Sequence, residues 1–270
     1  MPKFFIMLKY TLGHSIFLLL LANSYAQALI GIVVYKQTVV SDTMVGIEIV
    51  NKATLYFDAR ENKSVYVTRR LNAGEEKKKG EIVRKDDGLI FIKPADNGVD
   101  ALGKIIYKSQ KTKEIVFREH VGSKVVIITD TYPEINWEIF NETKKIGDLD
   151  CQKAQGDFRG RHYTAWFSNK FPTTDGPFKL CGLPGLILEA YDEKKHFIFS
   201  VVSVEFPKKI EEPLISPTQG EDIDFKLFYK QKLKATEDAR KKLQSINEAH
   251  NIKSFEERFS FNFLERNIKD

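Results

Sequence analysis

The sequence has few of the residues that build cross-linked or metal-binding scaffolds. It contains two cysteines, two tryptophans and three methionines among 270 residues. Two cysteines exclude a zinc cluster and a scaffold held by several disulfides. The mean hydropathy of −0.32 excludes a polytopic membrane protein. Since 42% of the residues are hydrophobic, the bulk of the chain is globular, with one large domain or two small ones.

Long apolar runs are also lacking, and the clearest short one lies near the N-terminus. Lys3 and Lys9 precede an apolar stretch at 16–22, and small residues follow as far as Ala26. This order predicts a secretory signal peptide, residues 1–26, that is cleaved after Ala26. A membrane anchor is the alternative, but the run is well short of the ~20 residues that a spanning helix needs. The mature protein is therefore expected to be periplasmic or secreted, with no transmembrane segment.

The charge balance gives no support to a nucleic-acid partner. Loss of Lys3 and Lys9 with the signal peptide lowers the formal net charge from +5 to +3. The basic cluster at 77–79 is flanked by glutamates and is typical of a solvated loop. A net charge this small does not indicate a nucleic-acid-binding surface.

Export changes how the two cysteines are interpreted. In an oxidising compartment, Cys151 and Cys181 are expected to form one disulfide. A pair of free, buried thiols is the alternative. No cysteine or histidine stands at metal-ligand spacing from either residue, so we expect no metal site and no cofactor.

Residues 27–206 have the pattern of an antiparallel β domain. Short β-like runs recur about every ten residues and are separated by polar turns, with no alternating helices. The predicted fold is mainly β: a large curved antiparallel sheet or half-open barrel, with two stacked sheets as the alternative. The predicted strands include 30–35, 45–49, 54–57, 64–67, 89–92, 104–107, 114–118, 124–129, 137–140, 158–167, 186–191 and 197–204.

Residues 207–270 form a proline-rich break, an amphipathic helix and a tail, packed on the same domain. The helix is predicted over 222–249, since apolar residues recur at helical spacing at Phe228, Ala235, Ala239, Leu243 and Ile246. Such a helix most often covers a sheet, although a partner-binding helix is an alternative. Alternation at 259–263 predicts a final edge strand.

The long strand predicted over 158–167 carries candidate binding residues. Alternation places Arg159, Arg161 and Tyr163 on one face, and Trp166 on the other with His162. The two adjacent arginines beside a tyrosine suit an acidic or carboxylate ligand. A rim of solvated or ion-paired arginines is the alternative.

A glycine- and proline-containing turn follows at 182–186. Pro184 and Gly185 suit the two central positions of a type II turn. Leu183, Pro184 and Gly185 then form either a structural corner, which we favour, or an exposed binding edge.

The region from about 137 to 192 resembles the GLPGLI family of exported bacterial proteins, which is found mostly in Bacteroidota. The naming motif is present at 182–187, and the segments 151–154, 158–161, 164–166 and 175–179 also look like the family pattern. The tail segment 262–265 matches less well, because Phe263 stands where the family pattern has proline. The resemblance implies a secreted or periplasmic protein, working beside outer-membrane receptors or transporters, with no settled enzymatic activity.

Known catalytic signatures are missing from the sequence. It has no Gly-x-Ser-x-Gly, Ser-x-x-Lys, His-Glu-x-x-His or glycine-rich phosphate loop. One hypothesis is an exported, non-catalytic module that binds a partner protein, peptide or lipid, and it predicts a broad apolar groove. The alternative is an exported hydrolase in which His162 is a general base oriented by Asp175 or Asp192. It predicts that His162 lies within hydrogen-bond reach of a carboxylate, in a cleft.

Overall fold

The described part of the chain forms a large sheet, a separate two-stranded hairpin and a helix. The computed structural model describes residues 30–40, 48–70, 81–84, 90–93, 102–121, 124–210 and 214–249. The predicted signal peptide, the basic cluster at 77–79 and the predicted tail strand lie outside these residues. The strands are β1 (Ile30–Val40), β2 (Glu48–Asp58), β3 (Lys63–Arg70), β4 (Glu81–Arg84), β5 (Ile90–Lys93), β6 (Lys104–Ser109), β7 (Glu114–Val121), β8 (Lys124–Thr131), β9 (Glu138–Ile146), β10 (Leu149–Phe158), β11 (Arg161–Ser168), β12 (Leu186–Asp192), β13 (Phe197–Lys208) and β14 (Glu221–Asp222), and the helix is α1 (Phe225–Ala249).

The sheet has twelve strands in the order β14-β8-β7-β6-β3-β2-β1-β13-β12-β11-β10-β9. All neighbours are antiparallel except β14, which runs parallel to β8. The prediction of a mainly β fold with one large antiparallel sheet and a helix near the C-terminus is confirmed. Since β3 pairs directly with β6, the chain leaves the sheet after Arg70 and returns at Lys104 in the adjacent strand. The separate β4–β5 hairpin belongs to this excursion.

Strong curvature brings the two ends of the sheet together. Asp130 is on β8 and Arg159 follows β10, which is nine positions away from β8 in the strand order. In a flat sheet these strands would lie about 40 Å apart, at the usual spacing of ~4.8 Å. Instead, the Arg159 guanidinium lies 2.8 Å from the Asp130 carboxylate. The sheet therefore curls into an open, barrel-like body, as predicted.

The two edge strands are protected against pairing with other chains. On one side, the short strand β14 covers the middle of β8 at Val126 and Ile127. On the other side, β9 carries charged side chains and has a bulge in its pairing with β10. Charges, bulges and short edge strands all oppose edge-to-edge aggregation.

Two apolar clusters pack against the sheet. The first cluster covers the concave side of β1–β3 and β6–β8, continues to β11 and β12, and contains, among others, Tyr35, Leu55, Phe57, Tyr66, Ile115, Phe117, Ile128, Trp166, Leu188 and Phe228. The second cluster lies over β10–β13 on the same face as Tyr35, because Phe199 pairs with Gln37 of β1, and it contains Phe158, Tyr163, Phe167, Leu180, Leu183, Ile187, Phe197 and Phe199. Period-two alternation along β11 and β12 sends neighbouring residues into different clusters, and burial on both faces makes β11 a central strand.

Helix α1 docks on the inner face against β7 and β8. The Asp224 carboxylate accepts hydrogen bonds from the backbone N–H groups of Lys226 and Leu227, and it caps the helix N-terminus. The Phe228 ring packs edge-on against Phe117, with 5.4 Å between ring centroids. The predicted helix is confirmed in its main part. Of its predicted apolar stripe, Phe228 is buried but Ala235 is exposed, and the other side chains lie outside the described ones.

The prediction of one unbroken strand over 158–167 is wrong. Strand β10 ends at Phe158 and β11 begins at Arg161, so residues 159 and 160 form the turn of a hairpin. Both turn residues have positive φ, 45° at Arg159 and 76° at Gly160. This is the geometry of a two-residue type I′ turn, whose twist matches that of the strands it joins. Arg159 and Arg161 therefore do not share a strand face.

The predicted disulfide between Cys151 and Cys181 is also absent, since both are free, buried thiols. Cys151 lies on β10 and belongs to the first apolar cluster. The Cys181 thiol instead lies 3.9 Å from the Pro133 carbonyl oxygen, and it hydrogen-bonds Tyr132. Burial raises the pKa of Cys181 to about 11 and also raises the pKa of Cys151. The two thiols are therefore buried in different surroundings and do not contact each other as a disulfide.

Residues 169–185, which we name the motif loop, join β11 to β12 and end in the Gly-Leu-Pro-Gly turn. The Gly185 N–H donates to the Leu183 carbonyl oxygen at 2.8 Å and closes a three-residue turn around Pro184. The predicted four-residue type II turn is therefore wrong. Gly185 is required for space, because a Cβ there would lie 2.3 Å from the Ser168 carbonyl oxygen.

Replacing Gly185 with alanine should destabilise the protein severely. The new methyl group must displace backbone atoms of Ser168, so the free energy of unfolding should fall by at least about 3 kcal/mol, the upper range for overpacking. Pro184→Ala is the matched control in the same turn, and its exposed ring predicts a loss below about 1 kcal/mol. Urea unfolding followed by circular dichroism measures both, and similar losses would contradict the steric argument.

The docking of α1 should weaken in acid. Burial acts to raise the pKa of Glu119, but the cations Lys104 and Lys232 outweigh burial and lower it to about 2. Because this pKa lies below the unfolded value of 4.5, the stability that ionised Glu119 contributes is complete above pH 4.5 and is lost as the pH falls towards 2. Glu119→Gln should remove about 3 kcal/mol at most at neutral pH and flatten the pH dependence below 4.5. Unfolding measured across this range checks the prediction, and an unchanged slope would contradict it.

Candidate functional site

The motif loop is held inside the concave face by a buried ion pair. Lys108 projects from β6 and is 1% exposed, and its ammonium group pairs with the Asp175 carboxylate. The same ammonium donates to the Gly176 carbonyl oxygen at 3.0 Å. The Tyr35 hydroxyl also donates to the Ile187 carbonyl oxygen, at 2.6 Å. Strands from the middle of the sheet thus fix both the loop and the start of β12.

A second buried cluster joins the loop to the far end of the sheet. The Asp130 carboxylate, 6% exposed, accepts from Arg159 at 2.8 Å and from Lys179 at 3.1 Å. The Lys179 ammonium also lies 3.9 Å above the centre of the Phe117 ring, and the Arg159 guanidinium lies 4.7 Å from the centre of the Phe225 ring. One carboxylate therefore connects β8, the β10–β11 hairpin and the motif loop, beside the first residues of α1.

Arg161 has a separate, equally enclosed environment. Its guanidinium lies 2.6 Å from the Asp192 carboxylate and 4.5 Å from the centre of the Phe197 ring. Asp192 also accepts from the Phe197 N–H at 2.8 Å. The predicted paired arginines for an acidic ligand are therefore not assembled, because each arginine has a different carboxylate partner.

The other candidate binding residues are mostly buried. Tyr163, Leu183 and Gly185 lie in the core, and Trp166 is 9% exposed with the Lys144 ammonium 4.4 Å from its ring centre. Pro184 is exposed. This burial agrees with the interpretation of the motif as a structural corner. Among the seven candidates, Arg159 and Pro184 have appreciable surface.

His162 does not meet the requirements of the hydrolase hypothesis. Its Nδ1 atom lies 2.8 Å from the Asp157 carboxylate on the neighbouring strand, and both side chains are exposed. The predicted orienting residues are engaged elsewhere: Asp175 with Lys108 and Asp192 with Arg161. A solvated His–Asp pair on a hairpin lacks the enclosure that perturbs catalytic groups.

Two of the concavities at the surface of the described residues are candidates for binding. The hairpin cleft, about 620 Å³, carries balanced charge and is lined by Lys113, Thr131, Tyr132, Pro133, Glu134, Asp157, Phe158 and Arg159. The outer groove, about 730 Å³, is largely apolar and is lined by residues that include Tyr56, Val65, Val67, Leu102, Ile105, Leu214 and Ile215. This groove could not be found from the sequence, because its walls come from parts of the chain that are far apart in sequence.

A strap, residues 214–220, forms one wall of the outer groove on the way to β14. Leu214 is 8% exposed, whereas the next residue, Ile215, is 68% exposed. Arg118 holds the strap, because its Nε atom donates to the Gln219 carbonyl oxygen at 3.1 Å. The same guanidinium donates to the Gly103 carbonyl oxygen at 2.8 Å.

Within the ranges that the structure describes, no group of three or more histidine, cysteine, aspartate or glutamate side chains is placed to hold a metal ion. None of the described helices has the length and apolar character needed to cross a membrane.

Comparison with known families gives a partial match. A family described as "Protein of unknown function (Porph_ging)" matches residues 159–189. This segment contains Arg159, Lys179, Asp175 and Gly185, the residues that fix the motif loop. No curated protein matches the chain. The resemblance to the GLPGLI family stays a prediction.

Solved structures show a likeness of fold. Two crystal forms of PNGF-II, in space groups C2 and P21, each superpose with a TM-score of 0.51 and 14% identity over 77% of this chain. The chain spans 34% of the length of PNGF-II. An uncharacterised conserved protein from Thermus thermophilus matches with a TM-score of 0.38 and 11% identity, over 73% of this chain and 91% of its own.

Replacing Asp130 with asparagine tests the second buried cluster. The change leaves Arg159 and Lys179 facing each other without a neutralising carboxylate, so the free energy of unfolding should fall by about 3–5 kcal/mol. Asp157→Asn, on the hairpin that carries Arg159, is the matched control, and its exposed pair predicts a loss below about 1 kcal/mol. Denaturant unfolding measures both variants, and a small loss for Asp130→Asn would show that the cluster contributes little.

Proposed function

We propose that this chain is an exported, non-catalytic binding module of the bacterial envelope, and that it partners an outer-membrane receptor or transporter. The outer groove is the observation that carries the proposal. A broad apolar groove is the feature that distinguishes a binding module from the hydrolase alternative. The groove lies on the outer face, because the concave face is already filled by the motif loop and α1.

The shape of the groove favours a protein segment as its occupant. The protein's own strap already buries Leu214 there while leaving Ile215 exposed on the rim. An extended segment that carries aliphatic side chains would repeat this mode of packing on the remaining apolar wall. Exposed apolar surface beside a groove is typical of protein–protein contact sites.

The polar groups support the same proposal. Several deeply enclosed charged groups form the ion pairs that fix the loop and the hairpin. General acid–base catalysis needs an acid or base that can reach a substrate. Lys108, Asp175, Lys179 and Asp192 are each less than a tenth exposed, so their positions suit structural support.

Substitution of Ile215 with aspartate tests the groove. A charge on the rim should weaken the apolar contact. The tagged mature protein is cross-linked in native envelopes and purified together with its partner. Recovery of an outer-membrane receptor or transporter should fall at least about tenfold. Val202→Asp is the matched control, because Val202 is 66% exposed and lies outside the groove. It should leave recovery unchanged.

Three outcomes would overturn the proposal. The first is equal recovery with the Ile215→Asp and Val202→Asp variants, and the second is that no envelope protein is recovered with the wild type. The third is hydrolysis of an ester or glycoside by the purified protein that His162→Ala abolishes, since that result would favour the enzyme.

A further inference from the structure

The outward face of α1 combines exposed lysines with exposed leucines. Lys226, Lys230 and Lys234 follow one another at intervals of four residues and are all exposed. Leu227 and Leu233 are 45% and 44% exposed. At 100° per residue, all five side chains fall on one side of the helix, opposite Phe228. We call these five residues the lysine stripe.

The charge of this half of the helix has one sign. Residues 225–236 contain four lysines and no acidic residue. One of the four, Lys232, pairs with Glu119 at 3.6 Å on the docked side. Like charges at i, i+4 weaken a helix. A negatively charged surface that faces α1 would reduce the repulsion between these lysines and would also attract them.

From this arrangement we propose that the lysine stripe binds a bilayer surface that contains anionic phospholipid. A flat surface of phosphate groups complements lysines in a line, and long lysine side chains reach headgroups while the leucines enter the acyl boundary. The motif loop and the outer groove do not take part. The inference is therefore independent of the function proposed for the groove.

The binding is expected to be reversible and sensitive to salt. A lysine near an anionic surface contributes roughly fivefold in affinity, and this attraction is screened within a Debye length. Two leucines that are already half-buried add a limited apolar contribution. A peripheral, electrostatically controlled contact is expected, with no insertion of the helix across the bilayer.

Sedimentation of the mature protein with vesicles tests the inference. Wild type should sediment with vesicles of phosphatidylcholine and phosphatidylglycerol, and not with vesicles of phosphatidylcholine alone. Lys230→Glu/Lys234→Glu should lower the affinity at least about twentyfold. Leu227→Ser/Leu233→Ser should lower it by a smaller factor and leave the salt dependence intact.

The matched control is Lys52→Glu/Lys111→Glu, which changes the net charge equally at exposed positions elsewhere. It should bind within about threefold of wild type, and circular dichroism should show all variants folded. A control that loses as much affinity as the stripe variant would overturn the proposal. So would equal binding to both kinds of vesicle, or displacement from them by inorganic phosphate at the lipid-phosphate concentration.

Discussion

The carboxylate of Asp130 holds together parts of the protein that the sheet alone would leave far apart. It lies at one end of a twelve-stranded sheet and accepts hydrogen bonds from Arg159 and Lys179, which belong to the other end and to the motif loop. The Lys108–Asp175 pair lies inside the same curved sheet and holds the motif loop separately. A buried ion pair is often no more stabilising than an apolar substitute, but it permits fewer arrangements of its partners. We infer that these pairs fix one curvature of the sheet.

The spacing of apolar residues along the chain predicted the strands and the helix, because short-range periodicity distinguishes a strand from a helix. The helix, predicted over 222–249 and observed at Phe225–Ala249, and most strands were predicted in this way. The hairpin at Arg159 was missed, because its Arg-Gly turn lacks the asparagine or aspartate that usually marks a type I′ turn. The missed turn placed Arg159 within the strand, so the two arginines were wrongly assigned to one face.

Long-range partners could not be predicted from the sequence. Lys108 and Asp175 are 67 positions apart, and nothing local to either residue indicates the other. The cysteines show the same limit, since their spacing allowed a disulfide but the two thiols pack in separate surroundings. The motif itself was interpreted more successfully: the structural corner that the sequence favoured is what the burial of Leu183 and the crowding at Gly185 describe.

The direct pairing of β3 with β6 has a consequence for how such a protein can vary. Thr68 and Lys104 are register partners, so the segment between them begins and ends at adjacent points of the same sheet. Closing a longer or shorter loop between two fixed neighbouring points changes the entropy only slightly, since its cost grows with the logarithm of length. The connection between β3 and β6 can therefore change in length at little entropic cost while the strand register stays unchanged.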